Sequence, residues 1–162
     1  MTDPGAPLAA IERLPLAVAM RHELWLYPSV EIVHIIGFVT LVGSILVLDL
    51  RLLGLSNGIS VRALARHVLP WSLGALVLIV PTGLLMFIAH AGDFVSNTAF
   101  IVKMSLLFCA GINAAVFHAG VFRTAEAWDS GTEVPVPAKI HAVVSLLIWI
   151  GVLACGRLLA YV

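Results

Sequence analysis

The chain has 162 residues, 61% of them hydrophobic and only 11% charged, against roughly 25% charged residues in ordinary soluble domains. Nine basic and nine acidic side chains cancel, which leaves no basic footprint for nucleic acid. A bilayer-crossing helix takes about 20 mostly apolar residues, so four crossings use about 80 and leave short connections, with no room for a separate soluble catalytic domain.

Residues 1–24 carry Pro4, Pro7 and Pro15 among Asp3, Glu12, Arg13, Arg21 and Glu23, without the basic start, apolar run and small-residue cleavage site of a secretory signal. Leu8, Ile11, Leu14 and Val18 recur at helical spacing. This predicts an amphipathic segment lying in the membrane interface, bent at Pro15, ahead of a transmembrane unit over residues 25–162.

The first span runs from near Leu26 to near Gly54, the second from about His67 to Ala91 with a bend at Pro81, the third from about Thr98 to Phe122, and the fourth from about Lys139 to Val162. The connections are Ser56 to Arg66, Gly92 to Asn97, and Arg123 to Ala138, the last holding Asp129, Ser130, Gly131, Pro135 and Pro137 as turn signals. The expected architecture is all-α, an integral four-helix bundle with an N-terminal interfacial segment. Trp25, Trp71, Trp128 and Trp149 fall mostly near span ends and read as interface anchors. Cys109 and Cys155 lie inside apolar runs and read as small buried hydrophobes.

Arg51, Arg62, Arg66, Arg123 and Lys139 flank one membrane face, and Arg13 and Arg21 the other. The positive-inside rule turns the first face to the cytoplasm and both termini to the periplasm of a bacterial inner membrane.

Six histidines occur, five of them in or at the ends of the spans, where ionisable side chains are costly and mostly functional. At about 1.5 Å per residue from each span's centre, His34 lies about 10 Å and His90 about 16 Å towards the outer face, close enough in depth to meet. His118, His141 and His67 lie about 12, 15 and 18 Å towards the inner face. Two histidine layers suit two axial clamps on haem iron, each drawing its histidines from different helices. His34 and His90 form the outer pair, and His118 the inner one with His141 or His67. The competing reading leaves these histidines packed and hydrogen-bonded in a structural subunit, with His67 solvated beside Arg66 and His22 on the surface.

Lys103 and Arg157 fall in the outer half, where they neutralise haem propionates or else snorkel and pair with Glu31 and Asp93. Glu31, three residues before His34, is placed to orient that imidazole. Gly37 allows a flat ring, or simply a neighbouring helix, to approach. Asp49 and Arg51 anchor the inner end of the first span. Met86, His90, Met104 and His34 make a competing soft-ligand set for copper.

The stretch EIVHIIGFVTLVGSILVLDLRLLG from Glu31 to Gly54, PTG from Pro81 to Gly83, and TAFIVKMSLLFCAGINAAVFHAGVFR from Thr98 to Arg123 resemble, in order, small bacterial four-helix membrane families. These are the CopD-type copper-resistance proteins and the HemJ-type protoporphyrinogen oxidases, with His34 and Lys103 at the matching positions. An uncharacterised family of the same layout is the nearest likeness. The HemJ-type resemblance implies haem b at His34 and a functional lysine at Lys103. His90, His118 and His141 go beyond that pattern towards cytochrome b561-like histidine content, although that family's two-histidines-per-helix layout is absent.

These observations predict a haem b protein, with one haem or two, that moves electrons inside the bilayer, alone or as the anchor subunit of a redox complex. Other redox subunits or a quinone are the expected partners. The ligands are His34, His90, His118 and His141, with Lys103 and Arg157 as cofactor-binding cations. A copper-handling protein is the first alternative, and an oxidase acting on a porphyrin or quinol, with Lys103 holding an anionic group, the second.

Overall fold

A computed structural model describes residues 6–159 and 161. Among these the regular structure is helical and no strand occurs: α1 (Ala6–Glu12), α2 (Pro15–His22), α3 (Leu26–Leu52), α4 (Val61–Ala89), α5 (Ala91–Ser96), α6 (Thr98–Ala119), a 3-10 segment (Val121–Trp128) and α7 (Val136–Leu158). The helices α3, α4, α6 and α7 are each long and apolar enough to cross a membrane, so the chain is a multi-pass membrane protein.

The N-terminal segment breaks where the proline requires it: α1 ends at Glu12, and Pro15 opens α2 at a position that needs no donor. Both short helices dock on the bundle, α1 against α5 and α2 against α4. Ala17 and Met20 are fully buried in that contact. Arg21 donates to the carbonyls of Ala89 (2.7 Å) and Glu12 (2.6 Å), and Glu12 accepts from the N–H of Gly92 (2.8 Å). A cation therefore meets the C-terminal end of α4 and a carboxylate the N-terminal end of α5, as the dipoles of those ends favour.

The second span starts six residues earlier than its apolar run implies. Ser60 caps α4, its Oγ accepting from the N–H of Ala63 (3.0 Å). Asp129 accepts from the Ser60 hydroxyl (2.7 Å) and from the N–H of Arg62 (2.8 Å). Arg62, Arg66 and His67 therefore lie on the exposed face of the first turns of α4, and the connection to α3 is only 53–60. The tail of the third span is likewise a 3-10 turn rather than α-helix from Val121. Pro135 and Pro137 sit at the start of α7, where proline is tolerated.

The bundle is two antiparallel hairpins, α3 with α4 and α6 with α7, joined along α3 and α7; α4 and α6 make no close backbone contact among the described residues. Lipid offers helices no hydrophobic gain for associating, so small residues mark the close seams. A Cβ on Gly37 would fall 2.9 Å from Ile79 Cγ1 and 3.3 Å from the Ala75 carbonyl, and one on Gly151 2.9 Å from Leu106. Gly37 thus admits α4, and the space a flat ring needs is not there.

The connections 53–60 and 120–135 define the hairpin face of the bundle. The opposite, terminal face carries α1, α2, α5 and the end of α7. On the hairpin face Arg51 is 2% exposed. It donates to the carbonyls of Ile59 (2.6 Å), Asn57 (3.1 Å) and Asp129 (3.1 Å), and to Asn57 Oδ1 (3.4 Å). A guanidinium with five fixed donors can tie both connections to the end of α3 in this way. Arg51 anchors that end as its sequence position suggests.

Candidate functional site

The hairpin-face half brings His118 of α6 and His141 of α7 to either of two contacts with one ring: Phe117 lies 5.2 Å from the His118 centroid and 5.8 Å from that of His141. Phe122 flanks His118 at 5.2 Å. His118 Nδ1 is 2.8 Å from the Ala114 carbonyl. A carbonyl only accepts, so Nδ1 carries the hydrogen, and Nε2 is buried with no partner. His141 Nδ1 is 2.8 Å from Asn113 Oδ1, and Asn113 Nδ2 donates to the His141 carbonyl (3.1 Å). That second bond fixes which end of the amide is oxygen, so His141 also donates from Nδ1 and keeps its lone pair on Nε2. Beside the pair lies a groove of about 300 Å³ lined by Asn113, His141, Cys109, Ile112 and Val144.

His34 obeys the same logic on the other half. The single hydroxyl hydrogen of Thr82 goes to the Leu78 carbonyl at 2.6 Å, leaving the oxygen, 2.9 Å from His34 Nδ1, to accept. Gly83 lets the imidazole lie against α4, since a Cβ there would be 3.3 Å from His34 Cε1. Phe38 stacks on His34 at 6.5 Å and in turn meets Trp149 at 6.0 Å. Glu31, which precedes His34 on the same helix face, is exposed and takes no part in fixing the ring.

His90 stands apart from His34. It caps the junction of α4 and α5, packs against Tyr27 (5.9 Å between centroids) and faces Asp93 at 3.6 Å. The partner of His34 is eight residues back along α4, about 12 Å at 1.5 Å per residue, so His34 and His90 do not meet. His67 is exposed on the first turns of α4, and His22 is exposed on α2.

Lys103 is half-buried near His34 and Cys155, with Nζ 3.7 Å from where a Cβ on Gly156 would be. Arg157 points elsewhere: it bonds the Tyr161 hydroxyl and lies 4.7 Å over that ring. Neither Glu31 nor Asp93 pairs with either cation, Asp93 being turned to His90. Met104 is exposed and Met86 half-buried. No group of three or more His, Cys, Asp or Glu among the described residues is placed to hold a metal ion by itself.

A family model described as a family of unknown function, DUF6644, matches residues 26–162. The chain belongs to that family. No curated protein and no solved structure matches it, so the likeness to CopD-type and HemJ-type proteins gains no support beyond the shared four-helix layout. The DUF6644 match covers all four spans and begins where α3 begins.

Three groups of this DUF6644 protein escaped the sequence reading. Thr82 and Asn113 are the acceptors that orient His34 and His141, and each was visible as a polar residue inside an apolar span. Asp49, read as an anchor, is 5% exposed and lies near Ser145 of α7, with Oδ2 buried and unpartnered. Its signal was a carboxylate still within the helix, three residues from the end of α3.

Proposed function

We propose that the chain binds haem b inside the bilayer and carries electrons through it, alone or as the membrane anchor of a larger redox complex. The observation behind this reading is common to three helices: His34, His118 and His141 each engage Nδ1–H and keep Nε2 as a lone pair. Oriented neutral imidazoles of this kind are what iron takes as axial ligands, with the opposite ring nitrogen anchored by an acceptor. The orphaned Nε2 of His118 adds weight, because a buried acceptor without a partner costs about 1–3 kcal/mol unless something fills it.

His118 and His141, gathered at Phe117, are the ligand pair of the hairpin-face half. His34 serves the other half as a ligand from α3, while His90 is too far along α4 to share its iron. Lys103, beside His34, supplies a positive charge for a propionate; Arg157, engaged by Tyr161, drops out of that role. Haem, when bound, supplies a one-electron couple at a potential set by these ligands and their burial. A bacterial inner membrane, with the basic hairpin face in the cytoplasm and both termini in the periplasm, suits the charge distribution. A quinone or a neighbouring redox subunit would supply or remove the electrons.

Absorption spectroscopy of detergent-purified protein tests the proposal. A Soret band and a sharp α band on reduction are expected, and His118→Ala and His34→Ala should each weaken them separately. A colourless preparation ends the haem reading. Metal analysis of the same sample distinguishes iron from copper, and copper without iron would transfer the argument to the soft-ligand set.

A further inference from the structure

We propose that Asp49 is a proton-binding site inside the membrane, held as the neutral acid with its proton on Oδ2. The inference is independent of haem. Asp49 is buried where α3 packs on α7, the Ser145 hydroxyl lies near its carboxyl, and Oδ2 has neither solvent nor partner. It closes one end of a cavity of about 150 Å³ whose other lining includes Ile45, Leu46, Trp149 and Leu153, all apolar.

An ionised carboxylate in such a place would have to be paired, because removing a bare charge from water costs far more than one hydroxyl bond returns. No cation among the described residues pairs with it. Arg51, two residues on, spends its guanidinium on Ile59, Asn57 and Asp129. On α7, His141 is one turn before Ser145 but gives its Nδ1–H to Asn113, and Lys139 lies half a turn further out. On α4, Arg62, Arg66 and His67 are exposed, and the buried Ser72 bonds the Val68 carbonyl. The charged ends of α2, Arg21 and His22, belong to the terminal face.

A hard metal cation is a poor alternative occupant, since it needs about six oxygen ligands and Asp49 is the one residue with a side-chain oxygen in the cavity lining. A proton needs only the oxygen. The step is carboxylate plus H⁺ giving the acid, with the proton drawn from the hairpin face, about 5 Å away along α3 at 1.5 Å per residue.

Infrared spectroscopy of the purified full chain at pH 7 reads the site directly, because no other described acidic residue is buried. The expected result is a carbonyl band of a protonated carboxyl that shifts in heavy water, disappears in Asp49→Asn and moves in Ser145→Ala as the neighbouring hydroxyl is lost. Absence of that band in the wild-type protein, or its persistence in Asp49→Asn, would overturn the proposal. Should Asp49→Asn not fold, the Ser145→Ala shift decides: an unmoved band assigns it elsewhere. A haem-free sample serves equally well, so failure here is separable from failure of the cytochrome reading.

Discussion

Asn113 and His141 hold one another by two reciprocal hydrogen bonds, from His141 Nδ1 to Asn113 Oδ1 (2.8 Å) and from Asn113 Nδ2 to the His141 carbonyl (3.1 Å). The amide reads both the side chain and the backbone of one residue, so it ties α6 to α7 and sets the tautomer of the ring together. Asn113→Leu removes both bonds and leaves a donor and a carbonyl to find substitutes. Side-chain hydrogen bonds between membrane helices average below about 1 kcal/mol, so the double loss should cost about 1–2 kcal/mol. Thermal denaturation in detergent measures it, and Asn113→Gln should not restore the stability, because the longer side chain misplaces both atoms.

Thr82 does for His34 what Asn113 does for His141, but through one oxygen already bonded to its own helix. Thr82→Val keeps the shape and removes the acceptor, leaving the Nδ1–H of His34 unpaired at a cost of about 1 kcal/mol. Thr82→Ser should retain nearly all of the wild-type stability, since it keeps the hydroxyl. If haem is bound at His34, the valine variant should also alter the α band while the serine variant leaves it alone. A valine variant as stable as the parent would show that the ring finds another acceptor.

The seam between α3 and α4 makes a sharper comparison. Gly37 and Gly43 lie on the same helix, yet a Cβ at Gly37 would enter Ile79 at 2.9 Å, whereas nothing lies within 4 Å at Gly43. Gly37→Ala should destabilise by about 1–3 kcal/mol, as overpacking does, and disturb the His34–Thr82 contact one turn away. Gly43→Ala should be neutral or stabilising by up to about 1 kcal/mol through helix propensity. Paired melting curves check the contrast, and equal losses would refute it.

The span count and the proline break at α2 were legible because both depend on local chemistry: apolar runs of bilayer length, and a residue that cannot donate. The start of α4 was not, because Arg62, Arg66 and His67 look like a loop until Ser60 and the distant Asp129 are seen to satisfy the first-turn N–H groups. Depth along each helix was legible in part: it set His118 at the level of His141 or His67, and it is His141 that shares Phe117 with it. Rotation about the helix axis was beyond reach, whereas His90 is parted from His34 by about 12 Å along α4, an axial separation that the span centres underestimated. Asp49 illustrates the same limit, for nothing in its neighbours in the chain indicates that it faces α7 rather than the headgroups.

Asp129 joins the two connections of the hairpin face and gives the fold a signature in acid. Its carboxylate is held below the usual range, first by the Arg62 backbone N–H and then by the Ser60 hydroxyl, with smaller help from the Arg62 and Arg51 charges against a slight desolvation. Because the folded protein binds this proton less readily than the unfolded chain, the stabilisation is complete above about pH 4, the ordinary aspartate value. It is lost as the pH falls from there through the folded-state value, when Ser60 and the first turn of α4 lose their anionic acceptor. Asp129→Asn keeps one acceptor oxygen but no charge, so its melting temperature should be lower than wild type at pH 6, and the gap should narrow as the pH falls below about 4. The Arg51 contact to the Asp129 carbonyl is unaffected by either change, so the hairpin face should stay assembled throughout. Parallel melting curves for the two proteins between pH 6 and pH 3 would refute the assignment, since the carboxylate would then contribute nothing that protonation removes.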